Sequence, residues 1–216
     1  MAASVKTASS VTSRAVGLEY ATILLATGEA AGALVSGVMA GSVALIAFGT
    51  DSVIEMMSAL IVLSQLRAMV RGEQPSASAV HRAHRTIAVL FFSLVLYVIV
   101  AAVVALVGAR HASENGLGLI VCIASLGLMP SLALAKRRSA FSLSGGGFTT
   151  IAKLMRADAS ETALCAILSL STLAGIALAS RAAWWWADPV ASLVVVAFAV
   201  REGREAWTCD PVGTTR

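Results

Sequence analysis

Charge is what this sequence has least of. Lys and Arg number 16 and Asp and Glu 12, so 13% of the 216 residues are charged, while 58% are hydrophobic and the mean hydropathy is +0.85. A soluble domain has about 25% charged residues. The composition therefore excludes a soluble enzyme, a disordered chain and a fibre, and it indicates an integral membrane protein. Because a spanning helix needs about 20 apolar residues, the length allows roughly six or seven spans.

Cysteine is also scarce, and its count is odd. Cys122 and Cys165 lie inside apolar stretches and Cys209 lies near the C-terminus, so no disulfide framework is predicted. No dense basic run accompanies the net charge of +4, which argues against nucleic acid as a partner. We find no nucleophile–base pair and no nucleotide-binding loop, so we do not expect an enzyme. Residues 1–17 lack the short apolar core and cleavage site of a removable signal peptide.

Six apolar stretches divide the chain, and they cover residues 18–39, 41–66, 86–109, 115–135, 149–180 and 182–200. We predict an all-α integral membrane protein with six transmembrane helices. In this division residues 1–17 form a cytoplasmic N-terminal segment, residues 18–201 the transmembrane domain and residues 202–216 a short cytoplasmic tail. The fourth stretch is predicted to end before Lys136, Arg137 and Arg138, which begin a polar loop.

The distribution of Lys and Arg predicts the orientation in the membrane. If both termini are cytoplasmic, every Lys and Arg falls on the inner side except Arg110 and Arg181. An excess of basic residues in cytoplasmic loops is typical of membrane proteins. The same division places Trp184, Trp185 and Trp186 at the outer interface, where indole rings concentrate. We therefore predict a multi-pass protein of the cell membrane, surrounded by the lipid bilayer, with both termini cytoplasmic.

The second stretch contains two acids that are costly in a membrane. Asp51 and Glu55 are four residues apart, so they face the same side of one helix, close to mid-membrane. An acid at the centre of a span costs about 2.5–3.5 kcal/mol on insertion scales. Two adjacent carboxylates become stable when they bind a cation or when one holds a proton, and we expect no Lys or Arg at that depth to pair with them. The alternative is that Asp51 caps a helix break after Gly49 and Thr50, which leaves Glu55 unexplained.

The fifth stretch carries Asp158, Glu161 and Cys165 on one helix face. Glu161 and Cys165 are four residues apart and reach about the same depth as the acid pair of the second stretch. Together the two pairs supply three carboxylates and one thiolate, a plausible four-ligand metal site. Cys165 is either such a ligand or a small buried apolar residue. Asp158 either pairs with nearby basic residues at the inner mouth or takes part in metal uptake.

Other residues have weaker signals. Glu29 lies mid-span in the first stretch and serves as a proton site, as an outer partner of the metal site or as a group protonated in place. Asp188 is the N-cap of the sixth helix, with Pro189 at its first position, or else a residue of the cation exit. His81 and His84, three residues apart in an inner loop, are either solvated or a weak cytoplasmic metal site.

At this point the residues resemble a known family, the cation diffusion facilitators. Residues 41–45 (GSVAL) and 51–55 (DSVIE) are similar to its second helix, which carries D-x-x-x-D or H-x-x-x-D. Residues 157–165 (ADASETALC) are similar to the A-D-A-x-H-x-x-x-D pattern of its fifth helix, and residues 186–193 (WADPVASL) to the W-A-D-P-x-x-S-L of its sixth. The three motifs occur in the family's order and spacing, and the likeness covers essentially all six helices.

The resemblance implies a divalent-metal exporter, often a homodimer, that exchanges Zn²⁺ or a similar ion for protons. The ion is then a substrate, and no cofactor is implied. Asp51 and Glu55 fall on the family's ligand positions in the second helix, Glu161 on its usual His position and Cys165 on its usual Asp position. Because this ligand set has no His, zinc, cadmium, cobalt, iron and mercury are all open as the metal.

The family usually has a cytoplasmic C-terminal domain, whereas about fifteen residues follow the last predicted span here. We therefore expect a transmembrane-only form, and dimerisation or metal sensing through that domain is not carried over. Two other functions stay open. One is a non-transporting membrane protein that binds a metal or a partner protein. The other is a small-solute or proton-linked carrier in which the acids are proton relays only.

Overall fold

The computed structural model describes residues 2–71, 73, 77–108, 116–145, 149–181 and 184–208, which form helices and no strands. These helices are α1 (Ala2–Ala40), α2 (Val43–Val70), α3 (Ala77–Val107), α4 (Gly116–Gly145), α5 (Thr149–Arg181) and α6 (Ala187–Thr208). Within the described residues, five of them contain a segment long and apolar enough to cross a membrane: Thr12–Ala40, Val43–Val70, Arg85–Val107, Gly116–Gly145 and Ile151–Ala179. The shorter α6 packs beside α3 and α5. The prediction of an all-α membrane bundle is confirmed.

The bundle is assembled from helix pairs. α1 packs against α2, α4 against α5 and α3 against α6, while α1 also contacts α4 and α2 contacts α5. The interior between the helices is filled by large apolar side chains such as Phe48, Ile54, Met129 and Leu168. Other apolar side chains point outward along the spans, as expected for a surface that faces lipid. The arrangement brings α1, α2, α4 and α5 together around one polar interior.

The tight turn between α1 and α2 depends on a glycine and on a side chain from α6. Gly41 has a φ of +65°, a conformation that glycine adopts without strain, and Ser42 is the N-cap of α2, where its Oγ accepts a hydrogen bond from the Leu45 amide. The buried Asp188 carboxylate accepts from Ser42 Oγ at 2.5 Å and from the Val43 amide at 2.9 Å. The N-cap prediction for Asp188 was therefore wrong about the helix. Asp188 lies inside the first turn of α6 and caps α2 instead.

The fourth helix is longer than predicted. α4 passes through Pro130 and continues to Gly145, so Lys136 belongs to the helix and not to a loop. A proline inside a spanning helix is tolerated because neighbouring groups satisfy the freed backbone carbonyl. Lys136 follows Ala133 and precedes Ala140 on the buried face of α4. The prediction of a loop starting at Lys136 was wrong. Three consecutive basic residues are typical of a loop, but here they continue the helix and the first of them faces the interior.

Candidate cation site

A row of polar side chains lies along the buried face of α5. Asp158, Thr162, Cys165, Ser169 and Thr172 follow one another at spacings of three or four residues, and each is at most 1% exposed. That spacing is the one that keeps side chains on one face of a helix. Polar groups buried inside a membrane bundle face its interior and mark ion or proton pathways. This row extends from the N-terminal part of α5 into its C-terminal half.

Three potential ligands meet in the middle of the bundle. Glu29 of α1, Glu55 of α2 and Cys165 of α5 each contribute one ligand atom, and these atoms lie within 4.8 Å of one another. All three side chains are buried, and we refer to them as the carboxylate–thiol cluster. The Cys165 thiol donates to Glu29 Oε2 at 3.6 Å, while neither Glu55 oxygen has a hydrogen-bond partner within the described part of the chain. Buried acids without partners are costly unless a cation or a proton compensates them.

Serine hydroxyls from α4 and α5 surround the thiol. Ser169 donates to the Cys165 carbonyl oxygen at 2.7 Å, its Oγ also lies 2.7 Å from Ser125 Oγ, and Ser125 Oγ lies 3.9 Å from the Cys165 sulfur. The Cys165 sulfur therefore contacts both Ser125 and Glu29. Hydrogen bonds of this kind around a ligand set orient the ligands and tune their affinity.

The predicted ligand set is partly assembled. Glu55 and Cys165 come together, and Glu29, predicted as an accessory residue, completes the cluster. Asp51 and Glu161 lie outside it. Asp51 is buried one turn along α2 from Glu55, and Glu161 lies one turn along α5 from Cys165. The set of Asp51, Glu55, Glu161 and Cys165 stays a prediction.

A second group of charges lies nearer to the end of the bundle where α5 begins. The Lys136 ammonium forms ion pairs with Asp158 and, at 3.4 Å, with Glu19, and all three side chains are fully buried. It also donates to Thr162 Oγ1 at 3.2 Å. We call Glu19, Lys136 and Asp158 the lysine–carboxylate cluster. Asp158 thus pairs with Lys136 of α4, a basic side chain that was predicted to lie in a loop.

A cavity of about 180 Å³ opens between α2, α3, α5 and α6 at this end. Carboxylates from two helices line it, namely Asp158 and Glu161 of α5 with Glu202 and Glu205 of α6. Arg201 pairs with Glu205 at 3.0 Å on the exposed side. Acids that line a cleft with low-dielectric walls raise the local concentration of cations. Asp158 is shared by the cavity and the lysine–carboxylate cluster.

Two of the charged residues in this interior, Glu19 and Lys136, were not predicted. A signal for Glu19 exists in the sequence, because Glu19, Thr22, Ala26, Glu29 and Ala33 are spaced by three and four residues and are all buried. This row continues the face of Glu29 toward the N-terminus of α1. Following the helical period back from Glu29 finds Glu19, and following it past the end of the fourth apolar stretch finds Lys136, whereas hydropathy alone finds neither.

The remaining predictions for the site have different outcomes. Asp188 of α6 caps α2. Its alternative role, as a residue of the cation exit, stays a prediction. His81 lies on α3, while the side chain of His84 lies outside the described residues. The weak cytoplasmic metal site at these histidines therefore stays a prediction.

Comparison with known proteins gives one match. The family model described as cation efflux transmembrane domain matches residues 20–207, which is most of the chain and includes part or all of each helix. No curated protein was found to match the sequence.

Proposed function

Because the chain belongs to the cation efflux family, a family of membrane transporters of cations, we propose that it moves divalent transition-metal cations and exchanges them for protons. The observation that supports this proposal is the carboxylate–thiol cluster. It is buried, it draws on three different helices, and both oxygens of Glu55 lack a hydrogen-bond partner in the described chain. A bound cation would supply the positive charge that these groups lack.

The donor set limits the class of metal. Two carboxylates and a thiolate form a softer environment than the all-oxygen sites preferred by Mg²⁺ and Ca²⁺, and thiolate ligands favour Zn²⁺ and similar ions. We propose Zn²⁺, Cd²⁺, Co²⁺ or Fe²⁺ as the transported class. Asp51 and Glu161 are each one helical turn from a member of the cluster, and we propose that they complete the ligand set when the cation is bound.

Proton coupling follows from the chemistry of the ligands. Carboxylates and thiols bind metal in their deprotonated form, so loading of the cation releases protons and reprotonation expels it. In the predicted orientation the acid-lined cavity opens toward the cytoplasm and collects cations there. Export then consists of loading from that cavity and release on the outer side, where protons replace the cation on Glu29, Glu55 and Cys165.

Equilibrium binding of Cd²⁺ to the purified protein tests the site. Glu55→Gln keeps the shape of the side chain but removes its charge, so we expect Cd²⁺ affinity to fall by at least about tenfold, with Glu29→Gln having a similar effect. Asp51→Asn and Glu161→Gln test the predicted completion of the ligand set. Glu73→Gln is the matched control, because Glu73 is exposed and pairs with Arg71 outside the bundle. Equal affinities in Glu55→Gln, Glu29→Gln and Glu73→Gln would contradict the assignment.

A further inference from the structure

We propose that Glu19 and Asp158 form a second cation-binding position on the cytoplasmic half of the pathway, and that the Lys136 ammonium occupies this position in the present structure. The transported divalent cation takes the place of the ammonium as it passes from the inner cavity to the carboxylate–thiol cluster. This inference rests on the proposed transport of divalent cations and adds a binding position that the comparisons do not assign.

The first argument is the surplus of hydrogen-bond acceptors around Lys136. Within the described residues, neither oxygen of Glu19 and only one oxygen of Asp158 takes part in a hydrogen bond, although both side chains are fully buried. Buried carboxylate oxygens normally have hydrogen-bond partners. One oxygen of Glu19 from α1 and one of Asp158 from α5 meet at the ammonium, and the other oxygen of each carboxyl group is left for further cation contacts.

The second argument is charge. Two ionised carboxylates exceed the charge of one ammonium, so this buried cluster is neutral only when one of its carboxyl groups holds a proton. A divalent cation in place of the ammonium balances both carboxylates. The pair is therefore better matched in charge to the substrate than to the side chain that occupies it.

The third argument is position. Asp158 lines the inner cavity, and Thr162, which accepts from Lys136, lies one turn from Cys165 on the same face of α5. On α1, Glu19 lies ten residues, or about 15 Å, from Glu29 of the carboxylate–thiol cluster. The lysine–carboxylate cluster thus adjoins the cavity at Asp158 and lies on two of the helices that form the carboxylate–thiol cluster.

The position has a mechanistic consequence for Lys136. A cation that reaches Asp158 from the cavity takes the place of the ammonium there, so the Lys136 side chain must move away as the cation binds. Its flexible four-carbon stem allows this displacement without movement of α4. Lys136 is accordingly a positioning residue, because it acts through Glu19 and Asp158.

Binding of Mn²⁺, a cation that favours oxygen ligands, tests the second position separately from the thiol-containing cluster. In Lys136→Met the pair of carboxylates is free, and we expect Mn²⁺ affinity, measured by electron paramagnetic resonance, to rise by at least about tenfold over the wild type. Adding Asp158→Asn should abolish the gain, whereas adding Cys165→Ser should leave it unchanged. No gain in Lys136→Met, or a gain that survives Asp158→Asn, overturns the proposal.

Glu19→Gln provides a second test that does not leave an unpaired buried charge, because Lys136 and Asp158 still neutralise each other. We expect its Cd²⁺ flux in proteoliposomes to fall by about tenfold, while its equilibrium Cd²⁺ affinity stays that of the wild type. Wild-type flux in Glu19→Gln overturns the second position. If the proposed function is wrong, the wild type itself shows no flux, and the Mn²⁺ measurement still decides on the second position.

Discussion

Cys165 distinguishes the carboxylate–thiol cluster from an all-oxygen cation site. Its sulfur is held against Glu29 on one side and Ser125 on the other, and Ser169 bonds its backbone carbonyl. A buried cysteine in an apolar stretch is an ordinary core residue by default. Carboxylate oxygens of Glu29 and Glu55 lie within 4.8 Å of the sulfur, which predicts a ligand role for Cys165 and not for Cys122.

Cys165→Ser tests that role. Serine keeps the size and polarity of the side chain but is a hard donor, so we expect Cd²⁺ affinity to fall by about 10- to 100-fold and the ultraviolet sulfur-to-metal charge-transfer band to vanish. Cys122→Ser is the matched control, because Cys122 is equally buried on α4 and lies outside the cluster. A charge-transfer band that persists in Cys165→Ser and vanishes in Cys122→Ser would show that the thiol ligand was assigned to the wrong residue.

The positions of the buried acids could be predicted from the sequence better than the side chains that pair with them. The spacing of Asp51, Glu55 and Cys165 identifies helix faces, and a helix face can be read from one segment alone. The pairing of Lys136 with Glu19 depends on how α4 packs against α1, and no local pattern contains that information. Lys136 also lies beside two further basic residues, and such a run in a membrane protein is usually a cytoplasmic loop.

Among the elements, α1 and α2 approach each other closely at two glycines. A Cβ atom at Gly37 would lie 2.8 Å from the backbone nitrogen of Ile46, and one at Gly49 would lie 2.9 Å from that of Leu34. Small residues allow helix backbones to approach in membranes, where packing replaces the hydrophobic effect as the driving force. The close approach places Glu29 and Glu55, which belong to different helices, in one cluster.

Gly37→Ala should therefore weaken the hairpin. We expect a loss of about 1–3 kcal/mol in the free energy of unfolding, because a backbone atom cannot move aside as a side chain can. Gly28→Ala on the same helix is the control, since a Cβ there meets no atom within 4 Å, and alanine favours the helix by up to about 1 kcal/mol. Thermal unfolding of both variants in detergent measures the difference. An apparent melting temperature that is equal in both variants would contradict the packing of α1 on α2.

The helices themselves could largely be predicted, and their ends could not. The apolar stretches gave the number, order and approximate centre of the helices, because a spanning helix must be apolar over most of its length. α1 begins at Ala2 and α4 extends to Gly145, well outside the predicted stretches 18–39 and 115–135, although the start of α5 at Thr149 agrees with its predicted stretch. Asp188 was predicted to cap its own helix, because a cap is read from neighbouring residues. The cap that it forms on α2 joins residues more than 140 positions apart, which no local pattern predicts.

For the whole molecule, the orientation of the bundle decides the direction of transport. Along α5, the acid-lined cavity and the lysine–carboxylate cluster both lie on the N-terminal side of the carboxylate–thiol cluster. In the proposed mechanism, the cation therefore enters from that side. The excess of Lys and Arg on the side of the termini predicts that the cavity faces the cytoplasm.

Topology reporters test this orientation. Alkaline phosphatase fused after Arg216 should be inactive, because the enzyme needs the oxidising environment outside the cytoplasm, and the same reporter inserted at Glu114 should be active. A fluorescent reporter fused at the same two positions should give the opposite pattern. An active phosphatase after Arg216 would reverse the orientation and with it the proposed direction of export.

The central claim is that cations cross the membrane through the carboxylate–thiol cluster in exchange for protons, and proteoliposome flux tests it most directly. With an imposed pH gradient, we expect wild-type vesicles to move Cd²⁺, a protonophore to slow that movement, and Glu55→Gln to reduce the initial rate by at least about tenfold while Glu73→Gln leaves it unchanged. The account is contradicted if Glu55→Gln moves Cd²⁺ at the wild-type rate. It is equally contradicted if the wild type binds Cd²⁺ at the cluster but moves none, which is the behaviour of a non-transporting metal-binding protein.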